Sequence, residues 1–511
     1  MIEIKDYRGH IRNWQALCAE LEISEQLSRQ EREAEILKKA YKKWGFDMAE
    51  HMHGMFAFAL WDEENQQLFC LRDHFGTKTF YYYVTADGKL LCGTTIRSIM
   101  EQEGFVKELN EELLQIYMSL TYVAGEDTFF KGVKKLMPGH YLVWKNGKME
   151  ITRYWKPTFK PDESKSLEDW AEEIHSTFKA IVPEVKTADE TAESFLSGGV
   201  DSSYVLAMTD VEACNSCGYD DERFDESGLA KQTADILGRK FNRCLVTPEA
   251  YFDIVPYVMY NMEQPLGDAS AIAFALGCKK TAESTKICYS GEGADEFFGG
   301  YNMYRNAERY GDNLKTFYVG NTNIMKEDEK QRLLKNYKEG FLPIDLVKDM
   351  YDSMEGLDPL SKMSAIDIQI WLEGDIYLNV DKMSEAAGLE VRMPLTDMRI
   401  FDIAKAMPSK YKINDEHNKV ALRTAAAKVL PEEIAFRKKL GFIVPIRVWM
   451  ADDRYNGDVK KRILGDTAAK FFNLDEVKKI WDEYVTVNSD NWRKVWTIYT
   501  FVVWYEEYFC K

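Results

Sequence analysis

Phe195-Leu196-Ser197-Gly198-Gly199-Val200-Asp201-Ser202-Ser203 decides how this 511-residue chain is read. A mixed polar and apolar run precedes it, and Tyr204-Val205-Leu206-Ala207-Met208 follows with the look of a helix. Strand, Ser/Gly turn and helix N-terminus together make an anion cradle. Glycines let the backbone approach a phosphate closely. First-turn N–H groups have no partner within the helix and point at the ligand. An acid among phosphate-binding groups repels the ligand unless a cation lies between them, so Asp201 implies Mg²⁺. The loop lacks the Gly-Lys-[Ser/Thr] ending of a Walker A loop. The bland alternative is a plain glycine turn before a helix, and Asp-Ser-Ser argues against it.

Outward from the loop, strands alternate with helices. Helix 167–182 leads to a strand at 191–196, the loop and a helix at 203–209. Strands follow near 213–218, 240–246 and 286–289, separated by helices 226–237, 249–262 and 272–283. Such alternation predicts a doubly wound parallel sheet, whose ligands bind at the carboxyl ends of strands. The last of these strands runs into a second loop, Ser290-Gly291-Glu292-Gly293-Ala294-Asp295-Glu296. Three carboxylates this close repel one another unless a cation compensates. Asp295 is expected to share the metal with Asp201, and Glu292 to act as general base on an amine. An acidic helix cap is the alternative.

Two further clusters are less specific. Asp381-Lys382-Met383-Ser384 and Leu389-Glu390-Val391-Arg392 interleave charge with apolar residues, which predicts buried ion pairs lining a site, or salt bridges on a helix. In Arg437-Lys438-Lys439-Leu440-Gly441-Phe442, Lys439 could stabilise developing charge on a phosphate. A solvated basic run is the default there. Residues 300–511 read as mostly helical.

Upstream, residues 1–155 read as an α+β unit. Helices are expected at 14–21 and 33–44. Strands are expected at 55–61, 67–71, 80–84 and 89–92, joined as an antiparallel meander. Residues 156–166 read as a linker. Lys plus Arg total 66 against 84 Asp plus Glu, a net charge of −18, which argues against nucleic acid as a main partner. There is no apolar run of membrane-spanning length, so the expectation is a soluble cytoplasmic protein. Nine scattered cysteines fit reduced thiols, and Cys214-Asn215-Ser216-Cys217 has no second pair to complete a zinc site.

Together, the Ser197–Ser203 loop, Ser290–Gly300, Asp381–Ser384, Leu389–Arg392 and Arg437–Phe442 resemble, in the same order, the motifs of the class B, glutamine-dependent asparagine synthetase family. The resemblance covers nearly the whole chain. It implies an Ntn-hydrolase-like, glutamine amidotransferase type 2-like domain at 1–155. It also implies an α/β adenine nucleotide α-hydrolase-like synthetase domain, with the pyrophosphatase loop, at 167–511. It implies ATP and Mg²⁺, adenylation of a carboxylate with loss of pyrophosphate, and displacement of AMP by an amine. Ser197, Gly198, Gly199, Asp201, Ser202 and Ser203 would hold pyrophosphate and metal, with Asp295 helping. Leu196, Cys217, Ser290 and Gly291 would border the nucleotide. Glu292 would take the amine proton, and Lys439 would stabilise charge at the phosphate and acyl centre. Glu263-Gln264-Pro265 and Asp268-Ala269-Ser270 would face the acyl substrate. A homodimer is possible, and the oligomeric state stays open at this point.

The resemblance departs at the N-terminus. Family members begin with a catalytic cysteine exposed after loss of the initiator Met; here the second residue is Ile2. Residues 9–17 resemble a stretch normally tens of residues into the domain. Arg8 stands where the oxyanion-hole Asn is expected. Arg32-Glu33-Ala34-Glu35 stands where Ser-Asp-x-Glu binds glutamine. Cys18 is internal and has no free α-amine. The expectation is an amide synthetase without its own glutaminase, with aspartate as default acyl substrate and ammonia or another amine as nucleophile. The alternatives are a lasso-cyclase-like peptide macrocyclase or natural-product ligase, a non-catalytic pseudo-synthetase, and a Met1 that is not the true start.

Overall fold

The computed structural model describes residues 1–186, 191–438, 441–487 and 489–511. Thirteen strands among them form three sheets. The N-terminal sheet has the order β1 (Ile2–Ile11), β2 (Gly54–Asp62), β3 (Gln67–Arg72), β7 (His140–Lys145) and β8 (Lys148–Arg153), and every pairing is antiparallel. Alternation in β2 sorts its two faces. Phe56, Phe58 and Leu60 pack with Ile36, Leu37 and Ala40 of helix Arg29–Trp44 and with Leu17 of helix Trp14–Glu20. Ala57 and Ala59 face the other way, onto Phe80, Tyr82 and Leu136. There lies the second sheet, ordered β5 (Leu90–Gly93), β4 (Tyr81–Val84), β6 (Lys134–Lys135).

The four expected strands exist, but they do not form one meander. The chain leaves the first sheet after β3 because the Asp73 carboxylate gathers the backbone N–H groups of Phe75, Thr77 and Lys78 and the Thr77 hydroxyl. That side-chain-built turn carries the chain across to the second sheet. The ten-residue strand β1 is a feature the sequence reading passed over.

The third sheet is fully parallel, ordered β11 (Lys240–Leu245), β10 (Ala213–Gly218), β9 (Ala192–Phe195), β12 (Ile287–Tyr289) and β13 (Glu390–Arg392). From β9 the chain runs outward through β10 and β11 on one side and returns to β12 on the other. The order therefore reverses at β9, and a crevice opens at the carboxyl ends of β9 and β12. The short edge strand β13 falls in the charged cluster at 389–392. After β12 the chain is almost entirely helical. Helix Trp492–Tyr505 buries ten consecutive residues, Val495–Trp504. It reaches the N-terminal part through Phe129 against Trp504 and Tyr117 Oη at 2.7 Å from Thr500 Oγ1. Among the described residues no helix is long and apolar enough to cross a membrane.

Candidate active site

The helix after β9 begins at Val200, three residues earlier than expected, so Asp201, Ser202 and Ser203 occupy its first turn. Gly198 sits at φ +81°, a left-handed backbone that favours glycine. Ser202 Oγ accepts from Ser197 N at 3.1 Å and lies 3.0 Å from Ser197 Oγ, which closes the loop into a ring. No side chain caps the helix, so its N-terminus stays open to a ligand. Ser203 Oγ and Asp201 Oδ1 are buried and have no hydrogen-bond partner among the described residues.

The second loop packs directly on the first. A Cβ on Gly291 would lie 2.9 Å from Asp201 C, Asp201 Cβ and Ser202 N. Only glycine permits this approach, and it brings Ser290, Glu292 and Asp295 beside Asp201. Glu292 is half-buried; its carbonyl accepts from Thr396 Oγ1 at 2.9 Å, and Ser290 Oγ reaches its carboxylate at 3.4 Å. Both loops line one cavity of about 900 Å³, together with Leu196, Cys217, Asp268, Ser270, Asn379 and Lys419. Ser290 Oγ, Glu292 and Asp295 thus face the same space as Ser197 and Asp201. Cys217 is a neutral wall residue: its contact with Cys244, then burial, push its thiol well up. It lies three residues from Cys214 on β10, so the two thiols leave opposite faces of the strand.

Lys419 was not singled out from the sequence. Its ammonium lies 2.6 Å from Asp201 Oδ2 and 2.8 Å from Asp295 Oδ1, and its side chain is 3% exposed. It stands in left-handed backbone just ahead of helix Val420–Ala426, which also carries Arg423, and no periodic pattern in the sequence marks such a position. Among the described residues no three His, Cys, Asp or Glu converge as a metal cage. Two carboxylates, one with an orphaned oxygen, still suit Mg²⁺, which uses one or two protein carboxylates and takes its other ligands from phosphate and water.

Lys439 lies outside the described residues. Its neighbour Arg437 donates to Gly198 O at 3.3 Å, Leu229 O at 3.0 Å and Thr233 Oγ1 at 3.1 Å. This ties the basic segment to the first loop, and Lys438 and Gly441 line the cavity.

Asp268 and Ser270 also line the cavity. Next to Asp268, Asp375 is fully buried; burial, then the neighbouring Asp268, push it well up. Asn379 Oδ1 is buried and has no partner among the described residues. Asp375 sits on a π-helical turn, Leu372–Ile376, of a kind frequent at functional sites. Glu263 and Gln264 do not line the cavity. Glu263 is fully buried in left-handed backbone at a helix end. It accepts from Ile96 N and Arg97 N, both at 3.0 Å, and from Lys382 Nζ at 2.6 Å. Gln264 Oε1 accepts from Phe129 N.

The interleaved charges do form buried ion pairs, but they face the N-terminal sheets instead of the cavity. Asp381 accepts from Arg8 Nη2 at 2.8 Å, Lys78 Nζ at 3.0 Å and Thr79 N at 3.2 Å. Glu390 takes a two-pronged contact from Arg29, and Asp397 pairs with Arg12 at 2.6 Å. Glu373 joins Arg72 and Lys135. Each of these carboxylates is neutralised from the other part of the chain. The stretch 32–35 is likewise spent on packing. The Arg32 guanidinium stacks 3.8 Å over the Trp14 ring, and Glu33 accepts from Ile11 N and Arg29.

The Asparagine synthase family profile matches residues 173–506, and the Glutamine amidotransferase domain profile matches residues 4–155. "Asparagine synthetase [glutamine-hydrolyzing] 1" of Bacillus subtilis is 30% identical over 98% of this chain and 84% of its own. "Putative asparagine synthetase [glutamine-hydrolyzing]" of Mycobacterium bovis is 28% identical over 98% of this chain and 83% of its own. "Amidase chry2" of Gibberella zeae is 32% identical over 53% of this chain and 44% of its own. With its two-part architecture and paired Ser-Gly loops, the chain belongs to the asparagine synthase family, ATP-dependent carbon–nitrogen ligases that carry ATP to AMP.

Proposed function

We propose that this protein adenylates the carboxylate of an amino acid, with aspartate as the default, and amidates it with ammonia or another free amine. The carrying observation is the packing of Gly291 on Asp201, which puts a phosphate cradle, two metal-type acids and Glu292 in one cavity. The first-turn N–H groups at 200–203 and the hydroxyls of Ser197, Ser202 and Ser203 receive the β- and γ-phosphates. Leu196, Cys217, Ser290 and Gly291 border the nucleotide. Asp201 and Asp295 would hold Mg²⁺, which when bound neutralises pyrophosphate as it leaves. The substrate carboxylate oxygen attacks the α-phosphorus, and the bond to pyrophosphate breaks. The amine nitrogen then attacks the acyl carbon and gives its proton to Glu292, and AMP departs. Lys439, on the segment anchored by Arg437, is assigned to charge at the phosphate and acyl centre.

The polar groups beside the cavity favour a substrate bearing a hydrogen-bond donor such as an amino group. Asn379 Oδ1, beside the cavity, is a buried acceptor with no partner among the described residues, and Asp268 lines the same space. We divide the chain into a domain at 1–155 and a synthetase domain at 167–511. We assign the first a structural role without glutamine hydrolysis. Arg8, at the expected oxyanion-hole position, is committed to Asp381 and Glu385. Cys18 is buried within a helix, and burial pushes its thiol up. All nine cysteines are free, which suits a reducing cytoplasm.

Pyrophosphate release tests this reading, with ATP, Mg²⁺, a panel of carboxylates, and ammonia, glutamine or other amines. Aspartate with ammonia is expected to give AMP and pyrophosphate. Release of ADP and phosphate, or transfer of label from the glutamine amide to product, refutes it.

A further inference from the structure

Lys419 occupies the space between the two acids assigned to the metal. It reaches Asp201 Oδ2 at 2.6 Å and Asp295 Oδ1 at 2.8 Å. Its backbone is left-handed, at φ +58° and ψ 38°, just ahead of helix Val420–Ala426. Access depends on a neighbouring glycine: a Cβ on Gly300 would lie 2.1 Å from Lys419 Cε and 1.9 Å from Asp295 Oδ1. The second cation facing both acids, Arg423, is committed elsewhere. Its guanidinium donates to the carbonyls of Asn418, Ala435 and Arg437. Among the described residues Lys419 is therefore the exchangeable cation, on a flexible stem with three donors.

We propose that Lys419 is a positioning residue that makes metal binding at Asp201 and Asp295 conditional on nucleotide. The proposal rests on the metal assignment made above. In the nucleotide-free enzyme the ammonium balances the acids. A divalent ion entering alone displaces it and leaves a buried ammonium, 3% exposed, without an anion. Removing the partner of a buried charge is strongly unfavourable. The phosphates of ATP remove that obstacle. The loop assigned to them lines the same cavity as Lys419, so they would give Lys419 new acceptors as the metal takes its place. Metal and nucleotide then enter together, and the site does not fill with metal alone.

The test is binding of Mn²⁺ alone to nucleotide-free enzyme, read by electron paramagnetic resonance. Lys419→Met is expected to bind Mn²⁺ at least about tenfold more tightly than wild type, because no ammonium competes. Lys419→Gln reads the same quantity if the Met variant does not fold. Adding Asp201→Asn to Lys419→Met is expected to abolish the gain. Equal Mn²⁺ affinity in wild type and both Lys419 variants overturns the proposal. A gain that survives Asp201→Asn puts the ion elsewhere and overturns both the proposal and the metal assignment. A gain that Asp201→Asn removes, in an enzyme that releases no pyrophosphate, upholds this proposal and refutes the synthetase reading alone.

Discussion

Asp381→Asn tests whether the N-terminal part serves as a counter-charge for the synthetase part. Asp381 is 1% exposed and takes Arg8, Lys78 and both donors of Thr79. These contacts, above all the Arg8 and Lys78 charges, hold its carboxyl well below the usual range against the cost of burial. An amide of the same shape keeps the packing and removes the charge. Arg8 and Lys78 side chains, 16% and 8% exposed, are then left with one fewer anion, or none. Breaking a buried pair from one side costs about 3–5 kcal/mol. Urea unfolding followed by tryptophan fluorescence should lose that amount at pH 7. The loss should shrink in acid: a depressed carboxyl stabilises the fold above its unfolded pKa of about 3.9, and that contribution disappears as pH falls through the folded value. Replacing the whole cluster, with Arg8→Met, Lys78→Met and Asp381→Leu, should recover most of the loss. What stays lost is the ~1–3 kcal/mol of the unpaired Thr79 N–H, since the Thr79 hydroxyl keeps Thr94 O as its acceptor. A loss below about 1 kcal/mol for Asp381→Asn, or a triple variant no more stable than the single one, refutes the reasoning.

Glu292→Gln should leave aspartate-dependent pyrophosphate release within about tenfold of wild type and reduce amide formation at least ~100-fold, the usual worth of a general base; parallel loss of both steps contradicts the assignment. Gly291→Ala puts a methyl 2.9 Å from the Asp201 backbone and must part the loops, so nucleotide affinity measured by calorimetry should fall by tenfold or more. Asp367 is pushed up to about 7 by burial, while Tyr304 and Tyr318 each donate to it at 2.5 Å. The native state therefore holds a proton that the unfolded state releases above about pH 4, and stability falls as pH rises to about 7. Thermal unfolding of Asp367→Asn should show an advantage that grows across that window and levels off above it.

Local chemistry and periodicity made much of this protein legible in the sequence. The Ser-Gly loops announce themselves because backbone approach and first-turn N–H groups need those residue types at that spacing. The alternation from 167 to 289 marks a parallel sheet because strands and helices bury different periods. Helix Trp14–Glu20 and strands β2 and β3 were readable for the same reason. Strand β1 alternates at Ile2-Glu3-Ile4-Lys5, but Asp6, Arg8, Gly9 and His10 then break the apolar period, so the sequence does not mark a ten-residue strand. Tertiary structure alone decided the partners. Nothing near Asp381 in the chain names Arg8, 373 residues away, as its counter-ion. Nothing near Asp201 names Lys419, 218 residues on. A charge advertises its sign in sequence but not the distance at which it is neutralised. Whether an acid holds a ligand or a domain interface is set by which cation the fold delivers to it.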